Sequence, residues 1–137
     1  DEWDALAKHL KVGSEKLEAA GLGRAGSRGN SIDFFRDRVM FPVADVNGKI
    51  VGFGGRMTPE GQPPKYKNTA QTRLYDKSKV LYGLHWAKKQ IVAADEIIVC
   101  EGYTDVIGCF RAGLDRAVAT CGTALTDDHV RIMVRFA

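Results

Sequence analysis

Residues 97–106 read Ile-Ile-Val-Cys-Glu-Gly-Tyr-Thr-Asp-Val, and this stretch decides the fold. Four apolar residues, 97–100, make a run of strand length with no polar alternation, as expected of a strand covered on both faces. Glu101 closes it, a Gly-Tyr turn follows, and Thr104 is placed to cap a helix, DVIGCFRAGL, that stops at Gly113. Working outward, Gly83 precedes a second helix, LHWAKKQIVAA, and Asp95-Glu96 lead into the strand. Downstream, AVAT (117–120) is another short apolar strand, and Thr126 caps a last helix, DDHVRIMVRFA. The order α-β-α-β-α predicts an α/β fold: a parallel sheet with flanking helices.

The first half has another rhythm. DALAKHLK (4–11) places Leu6 and Leu10 at helical spacing, and Ser14 can cap a second short helix, SEKLEAAG, ending at Gly21. The glycine-rich GLGRAGSRGNS (21–31) has no apolar period and reads as a flexible connection. Val39, Phe41 and Val43 alternate, and Asp45-Val46-Asn47-Gly48 supplies turn chemistry before Ile50 and Phe53, which predicts an antiparallel hairpin over 39–56. The glycines of Gly52-Phe53-Gly54-Gly55-Arg56 would let another backbone or a phosphate come close. Residues 57–72, with Pro59, Pro63 and Pro64, read as a long loop.

The 137 residues suffice for one ordinary domain or two small lobes. Hydrophobic residues at 45% and charged residues at 27% are globular values. No run approaches the roughly 18 apolar residues of a membrane span, and the acidic start Asp1-Glu2-Trp3-Asp4 lacks a signal-peptide core. Cys100, Cys109 and Cys121 form neither a CxxC pair nor an even disulfide set, so they read as small buried residues of a reducing compartment. His9, His85 and His129 are isolated and read as surface or partly buried groups; Met57, Met133, Trp3 and Trp86 read as packing residues.

The net charge of +3 hides an asymmetry. Residues 36–79 hold nine basic and four acidic side chains, net +5, and the segments on either side are each net −1. A local surplus of this kind suits a polyanion partner, although a solvated surface accounts for the same count. Within it, Pro63-Pro64-Lys65-Tyr66-Lys67-Asn68 joins cations, an aromatic ring and an amide, a set suited to phosphate pairing and base stacking. Arg36 and Arg38, two apart on a strand, would share one face.

In an open parallel sheet ligands gather outside the carboxyl ends of the strands. Glu101 stands there, where a carboxylate can bind a divalent cation or move a proton; facing solvent beside a helix start is the plainer account. Asp105, on the first helical turn, is more simply a helix-stabilising acid. Gly122-Thr123, after AVAT, could offer amides to an anion or make a tight turn.

FRDRVMFPV, GFGGR, PPKYKNT, Tyr75-Asp76-Lys77 with LYGL, IIVCEGYTDV and AVATCGTAL occur in this order. Together they resemble the catalytic core of bacterial DnaG-type primases, over roughly residues 3–137. The resemblance implies a basic α+β N-terminal subdomain over 1–80, followed over 81–137 by a partial Toprim-like parallel sheet with flanking helices. It implies that Glu101 is the Toprim glutamate, catalytic and metal-organising, and that Asp105 is the acid on the following helix. It implies nucleic-acid or nucleotide contacts for Arg36, Arg38, Arg56, Lys65, Tyr66, Asn68 and Lys77. The implied cofactor is Mg²⁺ or Mn²⁺, with no zinc in this segment. The implied partners are single-stranded DNA template, ribonucleoside triphosphates and, through regions absent here, a replicative helicase, all in bacterial or phage cytoplasm and not at a membrane.

One departure matters. Toprim domains carry an Asp-x-Asp pair on a later strand, and this sequence has only the adjacent Asp127-Asp128. The expectation is therefore a piece of a primase core that makes no primer alone, binds metal weakly, and can associate with another chain through an incomplete sheet edge. Two other readings stay open at this point: a non-catalytic single-strand-binding module built on the basic segment, and a piece of another Toprim nuclease or topoisomerase.

Overall fold

The structure, a computed structural model, describes residues 3–26 and 30–137. The Asp1-Glu2 start and residues 27–29 of the expected glycine-rich connection lie outside the described residues. The chain forms two compact units, Asp1–Phe41 with Gly52–Tyr75, and Pro42–Val51 with Asp76–Ala137.

The first unit opens with two short helices, α1 (Ala5–Leu10) and α2 (Ser14–Ala19). The start of α1 is capped from a distance: Asp33 is buried and its Oδ2 accepts the Leu6 N–H at 2.9 Å. Ser14 is the first helical residue of α2, and Gly13 takes the capping position. Gly21, at φ +68, ends that helix in the left-handed region as its sequence position implied.

The stretch beyond it is not simply a loop. Gly23–Ala25 (β1) and Ser31–Asp33 (β2) pair antiparallel, with Arg24 opposite Ile32. Leu17 packs against Gly23, where a Cβ would come within 2.8 Å of it, and that close approach keeps the glycine-rich strand in place.

The expected hairpin forms as β3 (Arg38–Ala44) and β4 (Ile50–Met57), neighbours in a three-stranded sheet whose third strand is β5 (Tyr66–Asn68). Gly48 alone supplies the positive φ of the turn, at +86. Asp45 fastens the turn with Oδ1 accepting the N–H groups of Asn47 and Lys49, both at 2.9 Å. The strand β5 corrects the reading of 57–72 as loop throughout: the prolines stop at Pro64, and Arg56 then pairs with Tyr66, Gly55 with Lys67 and Gly54 with Asn68. The glycines of β4 serve this unit's own side chains. A Cβ on Gly52 would meet the Tyr75 ring at 3.0 Å, and one on Gly55 would meet Arg38 and Phe35 at 2.9 Å.

The second unit holds α3 (Leu84–Ala94), β6 (Ile98–Cys100), α4 (Tyr103–Arg111), β7 (Ala117–Ala119) and α5 (Asp127–Met133). β6 and β7 pair parallel, Val99 opposite Val118, which is the α/β arrangement expected. Tyr82 bridges to Ala119 on the other side of β7 by two backbone hydrogen bonds of 2.9 and 3.0 Å. Leu81, Leu84, Ala87, Ile91, Val118 and Met133 form the core here, with Val46, Ile97, Phe110, Ile132 and Phe136 packed around it. Each large apolar side chain removed from water there contributes about 1.5–3 kcal/mol. Among the described residues, no helix is long and apolar enough to cross a membrane.

Candidate functional site

In the second unit the carboxyl ends of β6 and β7 lie together. The Cys121 N–H, in the loop after β7, donates to the Glu101 carbonyl at 3.1 Å. The backbone of that loop bends sharply, with Cys121 at φ +54 and Gly122 at φ +83. Glu101 itself is exposed. Its placement follows from its neighbours: Val106 and Tyr103 are buried and anchor α4, and Glu101 is the exposed residue that joins β6 to that helix by way of Gly102.

Asp105 is also exposed, but one of its oxygens is engaged. Oδ2 accepts the Gly102 N–H at 3.0 Å, so Gly102, not Thr104, is the capping residue of α4, and Asp105 closes the first turn. Tyr103, Thr104 and Asp105 all lie within the helix. The carboxylate therefore has the helix-stabilising role its position suggested. Burial pushes the Cys121 thiol up to about 12 and the Cys100 thiol up to about 11, the latter with help from the adjacent Cys109.

A hard divalent cation takes about six oxygen ligands. Among the described residues no group of three or more His, Cys, Asp or Glu side chains could hold a metal ion. Glu101 is a suitable donor and Asp105 a partly committed one, so this chain's residues fit part of such a site and not the whole.

The loop before α3 carries Lys77, and α5 fixes it. Thr126 Oγ1 donates to the Ser78 carbonyl at 2.9 Å, and the His129 ring bonds the Lys77 carbonyl at 2.9 Å through Nε2. The Thr126 N–H donates to His129 Nδ1 at 3.3 Å, so Nδ1 is the acceptor and Nε2 carries the proton it gives to Lys77. His129 is fully buried, against the expectation of a surface or partly buried ring. Asp76 accepts from the Ser78 hydroxyl at 2.7 Å and its backbone N–H at 3.0 Å, and these bonds lower its pKa.

The first unit carries the other candidate cations, and the pairing of β5 with β4 sorts its side chains onto two faces. Arg56, Tyr66 and Asn68 share one face. The Arg56 guanidinium stands 5.8 Å from the exposed Tyr66 ring, and Lys65, also exposed, precedes them. The opposite face bears Lys67 with Arg38. Arg38 does not reach outward with a free fork: its nitrogens donate to the carbonyls of Gly55, Pro64 and Gln62 at 3.3, 2.8 and 2.8 Å. It clamps the proline segment to the sheet.

Arg36 and Arg38 do not share a strand face, because Asp37 between them takes φ +51 and β3 begins only at Arg38. Arg36 instead lies 3.7 Å over the Trp3 ring. Lys67, expected with Lys65 as a phosphate-pairing cation, instead donates to the Phe34 carbonyl at 2.6 Å and sits 3.7 Å over the Phe34 ring. Burial lowers its pKa first, and the nearby charges of Arg38, Arg24 and Arg36 lower it further. Arg24 and Lys67 thus join Arg36 and Arg38 in a cationic cluster. Sequence reading missed it because a loop has no faces, and only a strand assignment for 66–68 separates Lys67 from its neighbours.

Comparison with known proteins matches residues 1–88 to the family model of the DNA primase catalytic core, N-terminal domain. The chain belongs to this primase family. Residues 95–137 match the Toprim domain. A DNA primase of Streptomyces coelicolor is 47% identical, the alignment covering 97% of this chain and 21% of that protein. The crystal structure of the RNA polymerase domain of Mycobacterium tuberculosis primase DnaG superposes with a TM-score of 0.92 at 41% identity, covering 99% of this chain and 45% of that one. A DnaG primase catalytic domain bound to ssDNA matches with a TM-score of 0.88 at 36% identity, covering 98% of this chain and 43% of that one. The chain spans about a fifth of the length of the curated primases it matches. The primase match over residues 1–88 sets aside a piece of another Toprim nuclease or topoisomerase.

Proposed function

We propose that this chain is part of a primase that joins ribonucleotides into short primers on single-stranded DNA. The observation that carries the reading is an exposed, uncommitted carboxylate, Glu101, at the converging carboxyl ends of two parallel strands. In this reading Glu101 acts as the catalytic and metal-organising residue, and Asp105 would offer its free oxygen to the same cation, Mg²⁺ or Mn²⁺. When bound, such a cation lowers the cost of charge on reacting phosphates and hydroxyls. The remaining ligands belong to other parts of the protein.

This chain's own residues bind and orient. Arg56, Lys65, Tyr66 and Asn68 offer phosphate pairing and a stacking ring to template or triphosphate. Lys77, on a loop held by Thr126 and His129, offers a charge whose backbone is already fixed. Arg38 supports them indirectly, by holding the segment 62–64, and Arg36 with Arg24 and Lys67 adds positive potential. The role of the divalent ion, the nucleotide substrates, a helicase partner and a cytoplasmic setting all follow from the whole-primase reading.

The test is template-directed incorporation of ribonucleotides by the full-length protein, with Mg²⁺ or Mn²⁺ and with a chelator. Synthesis that stops on chelation supports the proposal, and synthesis unaffected by chelation rejects it. The exposed Arg56–Tyr66 pair also favours a second reading, in which the chain only binds single strands. That reading predicts steeply salt-dependent binding, lost in Arg56→Ala with Lys65→Ala, in a protein whose primer synthesis is indifferent to Glu101→Gln.

A further inference from the structure

Two of the three cysteines meet in the fold. Cys100 ends β6 and Cys109 lies on the second turn of α4, nine residues on, and their sulfurs are 3.9 Å apart. Both are partly exposed, whereas Cys121 is buried. The pair is brought together by strand-to-helix packing: Val106, one turn before Cys109 on the same helical face, is fully buried. Closing from 3.9 Å to the bonding distance of about 2.0 Å asks for side-chain rotation at two positions that already point at each other.

We propose that Cys100 and Cys109 are a modification site, a dithiol that a hydroperoxide or a small-molecule disulfide converts to an intramolecular disulfide. With a hydroperoxide, one sulfur takes the terminal oxygen to become a sulfenic acid and an alcohol or water leaves. The second sulfur then attacks the sulfenic sulfur, the S–S bond forms, and water departs with the second thiol proton. Two electrons and two hydrogens pass from the pair to the peroxide, so the balance closes without a further reactant. With a small-molecule disulfide, two exchange steps give the same bond and release two thiols. The ring so closed contains Glu101, Gly102 and Asp105, the turn that carries both carboxylates. Any effect on metal or activity rests on the function proposed above, whereas formation of the bond does not.

The experiment therefore reads the bond. The 137-residue chain is treated with tert-butyl hydroperoxide or oxidised glutathione, and intact mass, free thiols and proteolytic peptides are followed. The expected result is a loss of about two mass units, disappearance of two of the three thiols, a peptide linking Cys100 to Cys109, and full reversal by dithiothreitol. Cys109→Ser should show no such mass loss, and Cys121→Ser should behave like the wild type. Three surviving thiols, oxygen addition with no linked peptide, or a bond that uses Cys121 or a second chain would overturn the proposal.

Discussion

His129 offers a sharp test of how the fold holds Lys77. Replacing it by alanine strands two partly buried backbone groups, the Thr126 N–H and the Lys77 carbonyl, both bonded to the ring in the native protein. Each buried group left without a partner costs about 1–3 kcal/mol. The vacated imidazole adds a cavity at a fully buried position, for a total of about 4 kcal/mol. The two nitrogens can be separated. Asparagine places an oxygen near Nδ1 and can keep the Thr126 bond, and glutamine reaches further and can keep the bond to Lys77. His129→Asn and His129→Gln should each cost about 2 kcal/mol, half the alanine value. Urea titration followed by circular dichroism gives the three numbers. A change under about 1 kcal/mol for His129→Ala, or three equal losses, would show that the two bonds do not carry the energy assigned to them.

Arg38→Ala should destabilise the first unit by about 1–3 kcal/mol, and Arg38→Lys should recover little, because only a planar fork reaches three carbonyls at once; denaturant midpoints of both variants check this. Stability should also fall on acidification in two steps. Burial, with Lys88, lowers the His85 pKa, so the unfolded chain takes up the proton first and stability declines as pH drops below about 6.5. Hydrogen bonds from Ser78 lower the Asp76 pKa, so its contribution is present above the unfolded value of about 3.9 and is lost as pH falls through the lower folded value. His85→Gln should remove the first step, and Asp76→Asn should diminish the second, to which Asp45, its pKa lowered by turn N–H groups, also contributes, in thermal melts across pH 3–8 run at about one-unit intervals.

The second unit was legible because its apolar runs are short, uninterrupted and bounded by charged or turn residues. Helix α3 forms over the residues expected, and the strands 97–100 and 117–120 differ from β6 and β7 by one residue. The cap of α4 was misplaced at Thr104 because a threonine before a helix resembles a cap, while an aspartate two residues into it can reach back to Gly102 instead. Strand β5 was hidden by prolines: Pro63 and Pro64 forbid helix and mask residues 66–68, whose strand is defined by its pairing with β4. The two faces of that strand, and with them the Arg38–Lys67 grouping, depend on a long-range pairing that local pattern cannot express. Asp37 with positive φ gives no sequence warning either, and it is what parts Arg36 from Arg38. Glu101 needed only the strand order to be located, and its exposure agrees with that reasoning.

The most direct measurement is primer synthesis by the full-length protein carrying Glu101→Gln. An exposed carboxylate changed to its isosteric amide should shift stability by less than about 0.5 kcal/mol, leaving single-strand binding as it was. Ribonucleotide incorporation should fall by on the order of a hundredfold or more. Near-wild-type synthesis in a folded, DNA-binding variant would contradict the role given to Glu101.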